Sequence, residues 1–379
     1  MYEPGNCQTS PRLAFLWPAF VAAATSETAA LAAKYFANIA VGPDVPAAQE
    51  PEWVTAHTVA LELNTVRLRD FSTGTAGHPT LLCTPLALHG GAVADLAARH
   101  SLVGALRANG LRRLFAADWR SATQDMRFLG IDDYLADLNV LVDHAGSPID
   151  LIGLCQGGWM ALAYAARFPA KIRKLVLAGS PVDFAAAPSA LSDVAKITPL
   201  ATFEELVRIG DGIVPGRKVL KFWGVETVLT EDIRQVMQTS SVPGSPDFAV
   251  LEAAFRNWYA WTTDLPGRYF LEVVSKLYKR NELALGKFVA LGRLINLAEL
   301  HAPMFLLSAA QDELVSPPQL FAAERLVGSK GADIRKQTVP GRHVGLFMGK
   351  DVLDHVWPEV GRWLAEPVVG ERGALVATR

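Results

Sequence analysis

The spacing of hydrophobic residues changes along the chain. Residues 53–71 alternate apolar and polar side chains, which predicts an antiparallel strand pair or one long bent strand. After a turn rich in Gly, Thr and Ser, the pattern becomes one of short, continuous apolar runs, at residues 80–86, 113–117, 149–154 and 175–178. Helix-forming stretches separate these runs, at residues 101–108, 131–144 and 159–168. Buried strands that alternate with helices are typical of a mostly parallel sheet with helices on both faces.

This alternation stops between residues 181 and 300, where longer helical segments that contain Trp and Phe show no strand signal. Strand patterns return at residues 304–309 and 334–339, and a helix over residues 351–364 closes the fold. A helical insertion late in a parallel sheet forms a cap over the carboxyl ends of the strands, where such folds bind ligands.

The pattern as a whole predicts five segments. We expect a first core part, a helical cap and a second core part, preceded by an N-terminal helical arm and followed by a loose tail. The arm covers residues 1–50, the first core part 51–184, the cap 185–300, the second core part 301–366 and the tail 367–379.

Composition narrows the classes of function. Half of the 379 residues are hydrophobic, and the net charge is -2 with no long basic run, which argues against a nucleic-acid binder. Cys7, Cys83 and Cys155 have neither C-x-x-C nor Cys/His spacing, so we expect no disulfide framework and no metal site. These cysteines favour a reducing cytoplasm as the location.

The apolar run at residues 13–24 needs a separate interpretation. A transmembrane helix takes about 20 apolar residues, so we expect no transmembrane segment here. A signal peptide is an open alternative, but one basic residue precedes the run and Pro18 interrupts it. We favour a helical arm that can touch a partner protein or a hydrophobic surface.

The motif that carries chemistry is Gly153-Leu154-Cys155-Gln156-Gly157-Gly158, between an apolar run and a helix-forming stretch. It matches a G-x-S-x-G nucleophile elbow in which cysteine replaces serine, and this predicts an α/β-hydrolase fold. Gly153 and Gly157 flank the turn because a Cβ would clash there. Cys155 is the candidate nucleophile, and the backbone N–H of Gln156 is a candidate oxyanion donor at a helix N-terminus.

A nucleophilic cysteine needs a base and a carboxylate that orients the base. Asp312 and His343 follow the apolar runs 304–309 and 334–339 in the order of α/β-hydrolases. Asp183 competes with Asp312 for the role of the acid. A second oxyanion donor is expected in His89-Gly90-Gly91, at Gly90, although these residues could equally form an ordinary turn.

Cys83 and the remaining histidines are not expected to take part in the chemistry. Cys83 lies inside an apolar run and is expected to be a core residue. Solvated or loop positions are expected for the other histidines, namely His57, His78, His100, His144, His301 and His355.

The motif resembles the lipase-like box of polyhydroxyalkanoate synthases, which use cysteine where lipases use serine. The likeness covers residues 79–363. The segments that carry it are Ala117-Asp118-Trp119-Arg120, Ile131-Asp132-Asp133-Tyr134, Asp95-Leu96, Ser101-Leu102-Val103, Thr263-Asp264-Leu265-Pro266-Gly267, Leu277-Tyr278, Asn281-Glu282-Leu283 and Ile295-Asn296-Leu297. The family includes the poly-3-hydroxybutyrate synthases. In its length the chain is similar to the small catalytic subunits of that family.

The resemblance implies an acyltransferase that polymerises 3-hydroxyacyl groups from coenzyme A thioesters into a polyester. Cys155 would be the acylated nucleophile, His343 its base, and Asp312 the acid that helps to activate an incoming 3-hydroxyl. Coenzyme A enters as part of the substrate, and no cofactor is implied. The resemblance also implies a homodimer through the cap, an accessory synthase subunit, and a location in the cytoplasm at the surface of polyester granules.

Two departures from the family pattern keep other functions open, namely the short chain and the segment after the oxyanion strand. The aromatic-rich segment of many synthases is replaced by Leu86-Ala87-Leu88-His89-Gly90-Gly91, and a His-Gly pair there is more usual among hydrolases. A cysteine-dependent hydrolase, whether polyhydroxyalkanoate depolymerase, esterase or thioesterase, is therefore the alternative. A granule-surface protein that keeps the fold without turnover is the third hypothesis.

Overall fold

The computed structural model describes residues 48–224, 226–240 and 245–368. Nearly all of the expected N-terminal arm, and the expected tail beyond residue 368, lie outside the described residues.

Eight strands form the central sheet, in the order β1-β2-β4-β3-β5-β6-β7-β8. The first two are antiparallel to their neighbours, whereas β3 to β8 all run parallel. A mostly parallel sheet was expected from the apolar runs, and it is confirmed. The strands are β1 (Thr58–Glu62), β2 (Val66–Asp70), β3 (Thr80–Cys83), β4 (Leu114–Trp119), β5 (Ile149–Leu154), β6 (Ile172–Ala178), β7 (Met304–Ala309) and β8 (Ile334–Val339).

The interior strands are buried along their whole length. Every residue of β3 to β7 is buried, because helices cover both faces of the sheet. The helices of the core are α1 (Leu102–Ala108), α2 (Ile131–Ala145) and α3 (Gln156–Arg167), followed after the cap by α10 (Pro317–Phe321), α11 (Ala323–Leu326), α12 (Gly345–Met348), a π-helix (Val352–Val356) and α13 (Trp357–Ala365).

Between β6 and β7 the chain forms the helical cap. Its helices are α4 (Ala190–Ile197), α5 (Leu200–Ile209), α6 (Gly216–Trp223), α7 (Glu226–Ser240), α8 (Pro246–Ala260) and α9 (Gly267–Glu272), the last of which continues as a π-helix (Val273–Lys279). No helix in the described ranges has the length and apolar character needed to cross a membrane.

One detail of the cap differs from the sequence prediction. We expected no strand between residues 181 and 300, but two short antiparallel pairs occur there. Ile213–Val214 pairs with Leu265–Pro266, and Val289–Ala290 pairs with Arg293–Leu294. A strand of two residues is too short to produce a periodic pattern in the sequence.

The turn from β5 into α3 brings two backbone segments unusually close together. A Cβ at Gly157 would lie 2.2 Å from the carbonyl oxygen of Cys83 and 2.5 Å from that of Thr84. At Gly158 a Cβ would lie 1.8 Å from Ser180 Oγ. Only glycine lets the first turn of α3 pack against the end of β3 in this way.

We predict that Gly157→Ala destabilises the protein by about 1–3 kcal/mol or more, because its Cβ would meet backbone that has no rotamer to change. The matched control is Gly74→Ala, where the new Cβ would meet only the Arg112 side chain, at 4.0 Å. Urea denaturation of both variants measures the difference. Equal free energies of unfolding would contradict the close approach.

Candidate active site

Cys155 lies between the end of β5 and the first residue of α3. Its φ of 49° and ψ of -122° are a strained combination, which costs about 1–3 kcal/mol and persists only where the surroundings impose it. Here the N–H of Cys155 donates to the carbonyl of Ala178, and the N–H of Gly158 donates to the carbonyl of Cys155, both at 2.9 Å. The sequence prediction of a sharp elbow agrees with this geometry.

The N-terminus of α3 begins at Gln156, directly after Cys155. The first N–H groups of a helix have no partner within the helix, and together with the helix dipole they favour a negative charge nearby. The Gln156 side chain is held on both sides. Its Oε1 accepts a hydrogen bond from Trp159 Nε1 at 2.9 Å, and its Nε2 donates to the Tyr278 hydroxyl at 2.7 Å.

His343 and Asp312 are brought together at the same edge of the sheet, after β8 and β7. His343 Nδ1 and Asp312 Oδ2 are 2.7 Å apart, and both side chains are almost completely buried. The other carboxylate oxygen of Asp312 accepts the N–H groups of Leu314 at 2.9 Å and Val315 at 2.8 Å. The carboxylate is thereby fixed in the orientation that holds the His343 ring.

The second ring nitrogen of His343, Nε2, is buried and makes no hydrogen bond of ordinary length to the described residues. Burial lowers the pKa of His343, but the charges of Asp312 and Cys155 and the hydrogen bond to Asp312 outweigh burial and raise it well above its usual value. A histidine in this setting favours its imidazolium form.

Asp183, the competing acid, is occupied elsewhere. Its carboxylate forms an ion pair with Arg325 and accepts a hydrogen bond from Asn281 Nδ2 at 2.8 Å. The same oxygen accepts the N–H of Ala185 at 3.0 Å. These contacts tie the loop after β6 to the cap and to α11, so the geometry favours Asp312 as the partner of His343.

His89 and Gly90 connect the loop after β3 with the cap. His89 Nδ1 lies 3.1 Å from the carbonyl oxygen of Trp261, and its ring stacks on Tyr259 with 5.2 Å between ring centroids. Burial lowers the pKa of His89 to about 4, against opposing hydrogen bonds to the carbonyls of Trp261 and Trp258. The ring is therefore neutral at pH 7 and engaged with the end of α8.

Gly90 faces the same helix end. Its carbonyl accepts a hydrogen bond from Trp258 Nε1 at 3.2 Å, and a Cβ would lie 2.5 Å from the Trp261 ring. Residues 85–89 line the cavity beside Cys155, whereas Gly90 is not among the lining residues. The structure thus brings Cys155, Gln156, Asp312 and His343 together, and it places Gly90 at the junction with the cap.

A cavity of about 140 Å³ lies between the core and the cap, with Cys155 and His343 in its wall. Most of the wall is apolar and comes from both the core and the cap, including Leu86, Val93, Leu191, Val219, Trp223 and Phe270.

In the described part of the chain, no group of three His, Cys, Asp or Glu side chains is arranged to hold a metal ion.

Sequence reasoning missed the role of Tyr278 in this wall. Because Gln156 Oε1 accepts from Trp159, it is the amide nitrogen that donates to Tyr278, and the Tyr278 proton remains available to an acceptor in the cavity. Burial and the nearby Cys155 raise the pKa of Tyr278, so the hydroxyl stays protonated. No local motif signals this contact, which joins residues 122 positions apart.

The comparisons with known proteins agree with this architecture. The alpha/beta hydrolase fold family matches residues 85–329, more than half of the chain. The chain belongs to this family. Among solved structures, a Paleococcus ferrophilus monoacylglycerol lipase has the same fold, with a TM-score of 0.52 and 17% identity over 79% of this chain and 98% of the lipase.

Curated relatives of this alpha/beta hydrolase confirm the resemblance to polyhydroxyalkanoate synthases. A Synechocystis protein is 27% identical over 280 residues, which cover 72% of this chain and 74% of the relative. An Allochromatium vinosum protein is 26% identical over 280 residues, which cover 72% of this chain and 76% of that protein. Both relatives are named poly(3-hydroxyalkanoate) polymerase subunit PhaC.

The contact between Asp312 and His343 leads to a prediction about the titration of His343. In the wild type, we expect His343 to stay protonated as the pH rises through 7, because its pKa is raised. In Asp312→Asn the charge is lost while burial remains, so the midpoint should fall by about 1–3 pH units. NMR of ¹³C-labelled histidine, assigned with His343→Asn, measures both midpoints.

Asp183→Asn is the matched control, because it removes the same charge from a carboxylate that contacts Arg325 and Asn281. It should leave the His343 midpoint where it is in the wild type. If Asp183→Asn lowered the midpoint and Asp312→Asn did not, the assignment of the acid would be reversed.

Proposed function

We propose that this chain is an acyltransferase that takes 3-hydroxyacyl groups from coenzyme A thioesters and extends a polyester through an acylated Cys155. The observation that carries the proposal is a cysteine at a nucleophile elbow, beside the His343–Asp312 pair, in the wall of a largely apolar cavity. The names of the curated relatives support the same chemistry.

The first half-reaction forms the acyl-enzyme. The Cys155 thiolate attacks the thioester carbonyl, the new C–S bond forms, and the coenzyme A thiolate leaves and takes the proton held on His343 Nε2. A thiol nucleophile suits this exchange, because the attacking and leaving thiolates are of similar stability. No cofactor takes part.

The second half-reaction transfers the acyl group to a hydroxyl. His343 Nε2 accepts the proton of the incoming 3-hydroxyl while its oxygen attacks the acyl carbonyl, and the C–S bond breaks to return the Cys155 thiolate. Asp312 holds the ring so that Nε2 is the nitrogen that exchanges protons. The apolar wall supports transfer over hydrolysis, because it disfavours water at the acyl-enzyme.

The tetrahedral oxyanion of each step needs hydrogen-bond donors. The backbone N–H of Gln156 is suited by its place at the start of α3. For the second donor, we favour a backbone N–H among residues 86–88 over that of Gly90, since these residues line the cavity with Cys155 while Gly90 packs against Trp258 and Trp261.

A hydrolase is the alternative, and its main sequence feature was the His89-Gly90 pair. In the structure, His89 is neutral and contacts the end of α8, so it attaches the loop after β3 to the cap. These contacts do not decide between hydroxyl and water as the acyl acceptor, and the product test below separates the two functions.

Location and partners follow from the proposed chemistry. We place the enzyme in the cytoplasm at the surface of its polyester. A homodimer through the cap and an accessory synthase subunit stay predictions, which light scattering and the product assay with a candidate subunit can test.

The product assay tests the function. Purified protein given 3-hydroxybutyryl-coenzyme A should release coenzyme A and form polyester with little free 3-hydroxybutyrate. Cys155→Ala should lower turnover by roughly 10³-fold or more, because the nucleophile is lost. Cys83→Ala is the matched control, since Cys83 is buried in β3 and does not line the cavity, so the turnover of the folded protein should be unchanged.

Soluble 3-hydroxybutyrate without polymer would establish the hydrolase instead of the synthase. Normal turnover in Cys155→Ala would remove Cys155 as the nucleophile. A wild-type protein that releases no coenzyme A, alone or with a candidate subunit, would favour a non-enzymatic role.

A further inference from the structure

A carboxylate from the cap reaches the loop that carries His343. Asp232 lies in α7, and its side chain is only 1% exposed. One of its oxygens accepts a hydrogen bond from Arg342 Nε at 2.7 Å, and the other accepts the backbone N–H of Val344 at 3.0 Å. Asp232 therefore holds the residues directly before and directly after His343.

The same contacts extend to the loop of the acid. Arg342 also forms an ion pair with Glu313 at 2.9 Å, and Glu313 is the neighbour of Asp312. Asp312 in turn holds His343 Nδ1 at 2.7 Å. The cap helix, the loop after β8 and the loop after β7 are thus connected through Arg342, and the His343 ring is held by Asp312 in the same loop as Glu313.

Burying a carboxylate is costly unless it is fully hydrogen-bonded. Burial raises the pKa of Asp232, and the hydrogen bonds from Val344 and Arg342 oppose that rise. The charged groups that act on it are Arg342 and His343. The loop begins at Gly341, with φ +105°, and the two Asp232 contacts fix its backbone on either side of His343 from the cap.

We propose that Asp232 is a positioning residue, which aligns His343 with Cys155 only while α7 of the cap is in place. The inference rests on the proposed role of His343 as the base, but not on whether a hydroxyl or water resolves the acyl-enzyme. A cap displaced far enough to break these contacts would also release the base.

The test measures acylation of Cys155 in a single turnover, as coenzyme A released from 3-hydroxybutyryl-coenzyme A per active site. Asp232→Ala loses both contacts, and we expect its rate constant to fall about 100-fold, the cost of a misplaced catalytic group. Asp232→Asn keeps an oxygen for Val344 but loses the charge facing Arg342, so its rate should fall about 10-fold. KM should change little in either variant.

Glu231→Gln is the matched control on the same helix, since Glu231 pairs with Arg234 at the surface. It should acylate at the wild-type rate. Because rates are counted per active site, a purely structural role would lower the amount of active protein and its Tm without slowing each site.

Wild-type rates per site in Asp232→Asn and Asp232→Ala would overturn the inference. If Asp232→Ala does not fold, Asp232→Asn decides alone. Unchanged acylation in His343→Asn would instead overturn the proposed base itself, so the two failures are distinguishable.

Discussion

The first turn of α3 lies against the end of β3 at a distance that no side chain tolerates, with the Gly157 Cα facing the carbonyls of Cys83 and Thr84. This contact forces the chain to reverse sharply at Cys155 and to adopt a φ of 49° there. The nucleophile is therefore presented at the sheet edge, next to the N-terminus of a helix. Because β5, β7 and β8 run in the same direction, the loops that carry Asp312 and His343 emerge at that edge as well.

The cap forms the other side of the site at the edge of the sheet. His89 and Gly90 attach the loop after β3 to the end of α8, and Asp232 attaches α7 to the loop of His343. Between these attachments, apolar side chains of both layers enclose the cavity beside Cys155. The cap thus serves in two ways, since it supplies an apolar wall and it contacts the residues around the base.

The sequence predicted the fold through features that are local. The strands β5, β7 and β8 have the predicted bounds, because buried parallel strands are continuous apolar runs. β3 ends at Cys83, short of residue 86, since Pro85 has no N–H to donate to a neighbouring strand. The sequence pattern could not reveal Asp232, which contacts Val344 across 112 residues, because an acidic residue on a helix usually belongs to its solvated face. Tyr278 was missed as a site residue because its contact with Gln156 joins residues 122 positions apart and exists only after folding.

The central claim is that Cys155 carries the acyl group. Intact-protein mass spectrometry, after brief exposure to one equivalent of 3-hydroxybutyryl-coenzyme A and an acid quench, tests it most directly. The wild type should gain the mass of one 3-hydroxybutyryl unit, located by peptide mapping to Cys155, and Cys155→Ala should gain none. An adduct that persists in Cys155→Ala, or coenzyme A release without any adduct in the wild type, would contradict the account.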